Sequence, residues 1–123
     1  MTQLILHLIG DYLIQNDWMA LNKKRTGIKG MLACQVHCIT YAVPFLLIAN
    51  IWQVFFIYVG HYMIDRWNFV TWFLSKRNSC GMDNFGYGGN RPSFIAFWLN
   101  VITDNSFHLI INSAILADTL ILK

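Results

Sequence analysis

The sequence contains no glutamate. All six acidic residues are aspartates, and charged residues of both signs make up only 12% of the chain, against roughly 25% in a typical soluble domain. So little charge cannot coat a soluble 14.3 kDa protein that is 56% hydrophobic, because small domains bury only a modest share of their chain. Cysteine is scarce and odd in number: Cys34, Cys38 and Cys80 exclude a disulfide framework. Cys34 and Cys38 share a helix face and read as small apolar filler. There is no basic face and no reading motif for nucleic acid, which excludes that partner. There is no GK[ST] sequence, which excludes a P-loop. The N-terminus lacks a basic leader, and His7 and Asp11 interrupt its apolar run, so a retained helix is expected rather than a cleaved signal peptide.

What is present is apolar sequence in long runs. Four segments, about 3–21, 30–49, 51–74 and 92–122, approach the roughly 20 residues needed to span a bilayer. Pro44 predicts a kink in the second, and Pro92 is a good first-turn residue for the fourth. The junction near Asn50 is tight, so the second and third helices should be antiparallel neighbours. The expected fold is all-α: one domain, an integral membrane four-helix bundle.

The basic residues set its expected orientation. Lys23, Lys24, Arg25, Lys29, Lys76, Arg77 and Arg91 fall in the first and third connectors, with only Lys123 on the opposite side. Basic short loops stay cytoplasmic. The expectation is a multi-pass protein of the inner (cytoplasmic) membrane with both termini outside. Trp18, Trp52 and Trp72 lie near expected span ends, as interfacial aromatics do. The glycine-rich connector "SKRNSCGMDNFGYGGNR" reads either as a lid that contacts headgroups or as an ordinary surface loop. Lipid is the expected partner, and a homo-oligomer is left open.

Histidine is the residue out of place. His7, His37, His61 and His108 all lie in apolar stretches. Three are paired with aspartate at i, i+4: His7 with Asp11, His61 with Asp65 and, in reverse order, Asp104 with His108. Helix four runs opposite to helices one and three, so the reversal puts three histidines at one level and three aspartates roughly 6 Å deeper. The spans as drawn place this cluster near the bilayer midplane. A charge there costs about 2.5–3.5 kcal/mol, and such residues usually face the bundle interior and mark function.

Three readings account for the set. It is a polar network that fixes packing, a proton or ion path, or a metal site, since imidazole and carboxylate both ligate zinc and similar ions. The metal reading has His7, Asp11, His37, His61, Asp65, Asp104 and His108 as candidate ligands, with zinc the first choice and manganese a second. Seven donors exceed one tetrahedral zinc. Either two metals bind, or some of the set acts as general base or as support. Gln15 and Asn112, four residues beyond an Asp or a His, would orient ligands from behind. Asp65, Asp104 and Arg66 are the candidate catalytic residues, Arg66 as a phosphate holder. Tyr12, Tyr41 and Tyr62 read as packing.

The motifs "HLIGDYLIQ", "HYMIDR" and "DNSFHLIIN" resemble, in that order and across nearly the whole chain, an uncharacterised family of small phage and bacterial membrane proteins known only as a domain of unknown function. A fainter resemblance in residue type and setting is to bacterial membrane-bound metal-dependent hydrolases. It implies metal-activated water acting on a lipid-borne ester or phosphoester. The competing class is non-enzymatic: a proton- or ion-conducting bundle, or an effector of host membrane proteins.

Overall fold

Short polar residues decide where the helices of this chain begin and break. The computed structural model describes residues 1–77 and 93–121, and every element in them is helical. Helix α1, Thr2–Leu8, runs on into a π-helical turn, Ile9–Ile14. The chain then opens at Gln15, and Asn16 starts α2, Asp17–Asn22, its side chain accepting from the Met19 amide. Helix α3, Gly27–Ala42, ends in a 3-10 turn, Val43–Leu47, that contains Pro44. Proline has no amide hydrogen, and its ring disturbs the preceding turn.

Asn50 and Gln53 then form a reciprocal cap: the Asn50 side chain accepts from the Gln53 amide and the Gln53 side chain from the Asn50 amide. This cap starts α4, Ile51–Arg66. Gln53 also donates to the Ile115 carbonyl, which ties α4 to the last helix. Asn68 stops α4 with φ 51°, a left-handed conformation that asparagine tolerates better than most residues. Helices α5, Phe69–Arg77, and α6, Ser93–Ile121, follow.

Two expected spans are therefore broken. The 3–21 segment divides at Gln15–Asn16, which leaves Thr2–Ile14 at about 20 Å. The 51–74 segment divides at Trp67–Asn68, which leaves α4 at about 24 Å. Among the described residues one helix, Gly27–Leu47, is long and apolar enough to cross a membrane. The glycine-rich connector lies outside the described residues. The expected neighbours, the second and third helical segments, do pack, α3 along α4; α6 in addition lies along both α4 and α1.

The polarity of the bundle is inverted. Leu13, Ile28, Leu47, Trp52, Phe56 and Ile110 face outward, while His7, Asp11, His37, Gln53, His61, Asp65, His108 and Asn112 are buried. Apolar packing closes the interior at both ends. Tyr41, Phe45, Val54, Ile57 and Leu116 pack at one end, and Ile64, Val70 and Leu74 at the other. His61 of α4 and His108 and Asn112 of α6 lie between them.

Candidate metal centre

Five segments supply the polar interior. His7 comes from α1, Asp11 from the π-helical turn, His37 and Tyr41 from α3, His61 and Asp65 from α4, and Asp104 and His108 from α6. The four histidines are at most 2% exposed and Asp65 1%, so water is excluded from most of the cluster. Asp104 is the open edge, its side chain 26% exposed. The site is not centred on every helix. Asp65 is the penultimate residue of α4, and Asp11 lies in the last turn before the break at Gln15. The midplane placement depended on longer spans than α1 and α4 provide.

The distances between donor atoms are specific. His37 Nε2 lies 2.9 Å from His61 Nε2, 3.3 Å from Asp11 Oδ1 and 3.1 Å from Asp65 Oδ2. His61 Nε2 lies 3.3 Å from Asp11 Oδ1 and 3.4 Å from Asp65 Oδ2. Ligands about 2.0–2.2 Å from a shared zinc at the tetrahedral angle are roughly 3.3–3.6 Å apart. These five distances approach that figure from slightly below, which also suits a six-coordinate ion with its narrower angles. His108 Nε2 joins from the side, grouped with Asp11 and His61 and, separately, with Asp65 and Asp104. Asp11 Oδ1 and His108 Nε2 are buried and make no well-aligned hydrogen bond, only the longer contacts to His37 and His61 at 3.3 Å and to Asp104 at 3.4 Å. Buried polar atoms are nearly always satisfied, and a divalent cation would satisfy both. The buried histidine and aspartate groups could therefore hold a metal ion.

His7 is engaged differently from the other histidines. Its Nε2 lies 2.6 Å from Asn105 Oδ1 and its Nδ1 2.8 Å from the Tyr41 hydroxyl. Asn105 Oδ1 can only accept, so Nε2 carries the proton and Nδ1 accepts from Tyr41. The Tyr41 hydroxyl in turn accepts from Asn112, at 2.7 Å. Neither nitrogen of His7 is free for a metal, although Nδ1 stays 3.5 Å from Asp11 Oδ2. Asn112 acts through Tyr41 and not on a donor. The Gln15 side chain makes no hydrogen bond among the described residues, its Oε1 buried and unpaired. Arg66, partly exposed, makes no ion pair with a described residue.

Tyr41 is more than packing. It is fully buried, and its ring stacks on His61 with centroids 3.6 Å apart. Gly10 makes room for it: a Cβ there would sit 2.5 Å from Tyr41 Cδ2. The spacing of His37 and Tyr41, i, i+4 on one helix, was the available signal. Asn105, beside Asp104, had none beyond adjacency.

Lys23 is the residue that sequence spacing could not find. Its Nζ donates to Asp65 Oδ2 at 2.7 Å and lies 3.2 Å from His37 Nε2. Burial works against its ammonium form, but the Asp65 carboxylate outweighs burial and holds the Lys23 pKa above the ordinary lysine value. On an unbroken helix it would lie roughly 18 Å beyond Asp11. The break at Gln15–Asn16 turns the chain back and brings it in.

The chain belongs to the family described as "Protein of unknown function (DUF3307)", whose model matches residues 1–121. No curated protein and no solved structure matches it.

Proposed function

We propose that this protein is a four-helix membrane bundle of the inner membrane built on a divalent-metal centre, which hydrolyses an ester or phosphoester carried by a lipid. The observation that carries the metal reading is the close approach of the His37 and His61 donor atoms to each other and to Asp11 and Asp65. The inverted polarity supports the membrane reading. Outward Leu13, Leu47 and Phe56 suit lipid, and interior histidine and aspartate suit a functional site. The short spans of α1 and α4 are matched by local thinning of the bilayer. On this reading α2 and α5, carrying exposed Trp18 and Trp72, lie in the interface on the basic, cytoplasmic side.

A bound zinc would supply a Lewis acid and an acidified water. His37, His61, Asp11 and Asp65 would hold it, with His108 beside them. Asp104, the carboxylate with solvent access, is placed to take a proton. Arg66, at the end of α4 near the headgroups and free of described ion pairs, would hold a phosphate.

Metal analysis of the purified protein tests the centre. Stoichiometric zinc or manganese, lost in Asp65→Asn with the helical signal retained, supports it, and metal-free protein with no chelator response would refute it. Hydrolysis of a fluorogenic phosphoester lipid in vesicles, abolished by chelator, tests the activity. One observation favours a second reading. The chain Asn112–Tyr41–His7–Asn105–Tyr12 is hydrogen-bonded throughout and ends at an exposed tyrosine, as a proton path would. Proton flux into liposomes from metal-free protein would favour it.

A further inference from the structure

We infer that Lys23 is a built-in competitor of the metal ion: its side chain and the ion exclude each other at His37 and Asp65, so an ion enters only by expelling the lysine. This rests on the metal reading above. Lys23 Nζ lies 2.7 Å from Asp65 Oδ2 and 3.2 Å from His37 Nε2. Both atoms belong to the candidate donor set, and they lie 3.1 Å from each other. A ring nitrogen has one in-plane direction for bonding, so His37 Nε2 can accept from Lys23 or bind an ion, but not both. An ammonium has donors only, so Lys23 cannot stay as a further ligand. The carboxylate oxygen has room for two partners, yet sharing it is unfavourable. An ion about 2.0–2.2 Å from Asp65 Oδ2 would lie within roughly 4.9 Å of Nζ. Two cations that close repel strongly where water is excluded.

The place of Lys23 in the chain lets it leave. It is the residue that follows α2, and its amide still bonds to the Met19 carbonyl. Met19 and Asn22 are buried, and α2 packs along α3, so α2 has a seat that does not depend on Asp65. Lys24 and Arg25, next along the chain, are exposed. The Lys23 side chain is itself 14% exposed, so solvent already reaches it, and its flexible four-carbon stem can swing Nζ outward while α2 stays in place. A tethered competitor acts at a fixed, high effective concentration. The centre should therefore fill only where the ion is abundant enough to overcome it, and filling turns a buried cation out beside Lys24 and Arg25.

Acetylation of amines reads the exclusion directly. The full chain, purified in detergent and stripped with chelator, is treated with a trace of acetic anhydride, with and without saturating zinc, and bound zinc is counted in parallel. Peptide mass spectrometry gives the labelling of Lys23 relative to exposed Lys24. Zinc should raise that ratio at least fivefold. Bound zinc with an unchanged or lower ratio would overturn the inference and leave the metal reading standing. Lys23→Met keeps the bulk of the stem without the cation and should bind zinc at least tenfold more tightly in a chelator competition. Unchanged or weaker binding by folded Lys23→Met would also overturn the inference. Failure of both forms to bind zinc ends the metal reading, and this inference with it. The wild-type labelling decides between these outcomes even where Lys23→Met fails to fold.

Discussion

Replacing Tyr41 by phenylalanine separates the supporting network from the donor set. The hydroxyl donates to His7 Nδ1 at 2.8 Å and accepts from Asn112 at 2.7 Å. His7, Tyr41 and Asn112 are at most 2% exposed, so neither abandoned group can turn to water. Hydrogen bonds between membrane helices are worth about 0.6 kcal/mol on average, and a buried polar group left unpaired costs about 1–3 kcal/mol. Two bonds lost with one hydroxyl give a destabilisation of about 1–4 kcal/mol. The ring survives the change, and with it the 3.6 Å stack on His61. Zinc affinity should therefore stay within about twofold, equivalent to less than about 0.5 kcal/mol. Unfolding in mixed micelles, followed by far-ultraviolet circular dichroism, reads the first quantity and chelator competition the second. Tyr62→Phe is the control, since Tyr62 packs against Tyr58 and makes no side-chain hydrogen bond among the described residues. A stability loss below about 0.3 kcal/mol, within the scatter of ordinary surface substitutions, would refute the network. A large loss of zinc affinity would show instead that Tyr41 shapes the donor set itself.

Four further outcomes are expected. Gly10→Ala should cost about 1–3 kcal/mol, because its Cβ meets the ring and backbone of Tyr41. Gly60→Ala should cost less, because its Cβ meets mainly the Cγ2 of the Ile111 side chain and no backbone, and equal costs would contradict the packing. Zinc affinity should fall as pH drops from about 7.5 to about 5.5, because protons compete for the imidazole and carboxylate lone pairs; a pH-independent affinity would exclude histidine ligands. A cysteine at position 24 should resist impermeant maleimide added from outside intact cells, and efficient labelling would reverse the orientation.

The helical class and the meeting of helices were legible because they depend on periodicity and on direction. An i, i+4 spacing fixes a face, and reversing a helix reverses the order of its residues. The helix breaks were harder to read. Gln15–Asn16 and Trp67–Asn68 lie in apolar runs that hydropathy alone joins into full spans. Each break turns on a side chain that competes for backbone hydrogen bonds or on a tolerated left-handed residue. The consequence reaches the site, because a straight first helix keeps Lys23 in a connector, where its charge reads only as orientation. Seven charged or imidazole positions were visible as a group, and the eighth depended on a bend.

The three i, i+4 pairs also show where spacing stops being informative. Their His–Asp distances are nearly equal, 3.5, 3.4 and 3.4 Å, although His7 faces its aspartate with Nδ1 and the other two with Nε2. Their environments are not equal. The nitrogens of His7 are both taken, by Tyr41 and Asn105. His61 points Nε2 at His37 and at two carboxylates. His108 presents an Nε2 that makes no well-aligned hydrogen bond. An imidazole offers a lone pair to a metal only through a nitrogen that carries no proton, and the partner of the other nitrogen fixes which one that is. The residues that make this choice, Tyr41 on α3 and Asn105 on α6, come from helices other than that of the histidine they control. Spacing along one helix can place a histidine in the interior, but whether it binds or braces is decided by its neighbours across the bundle.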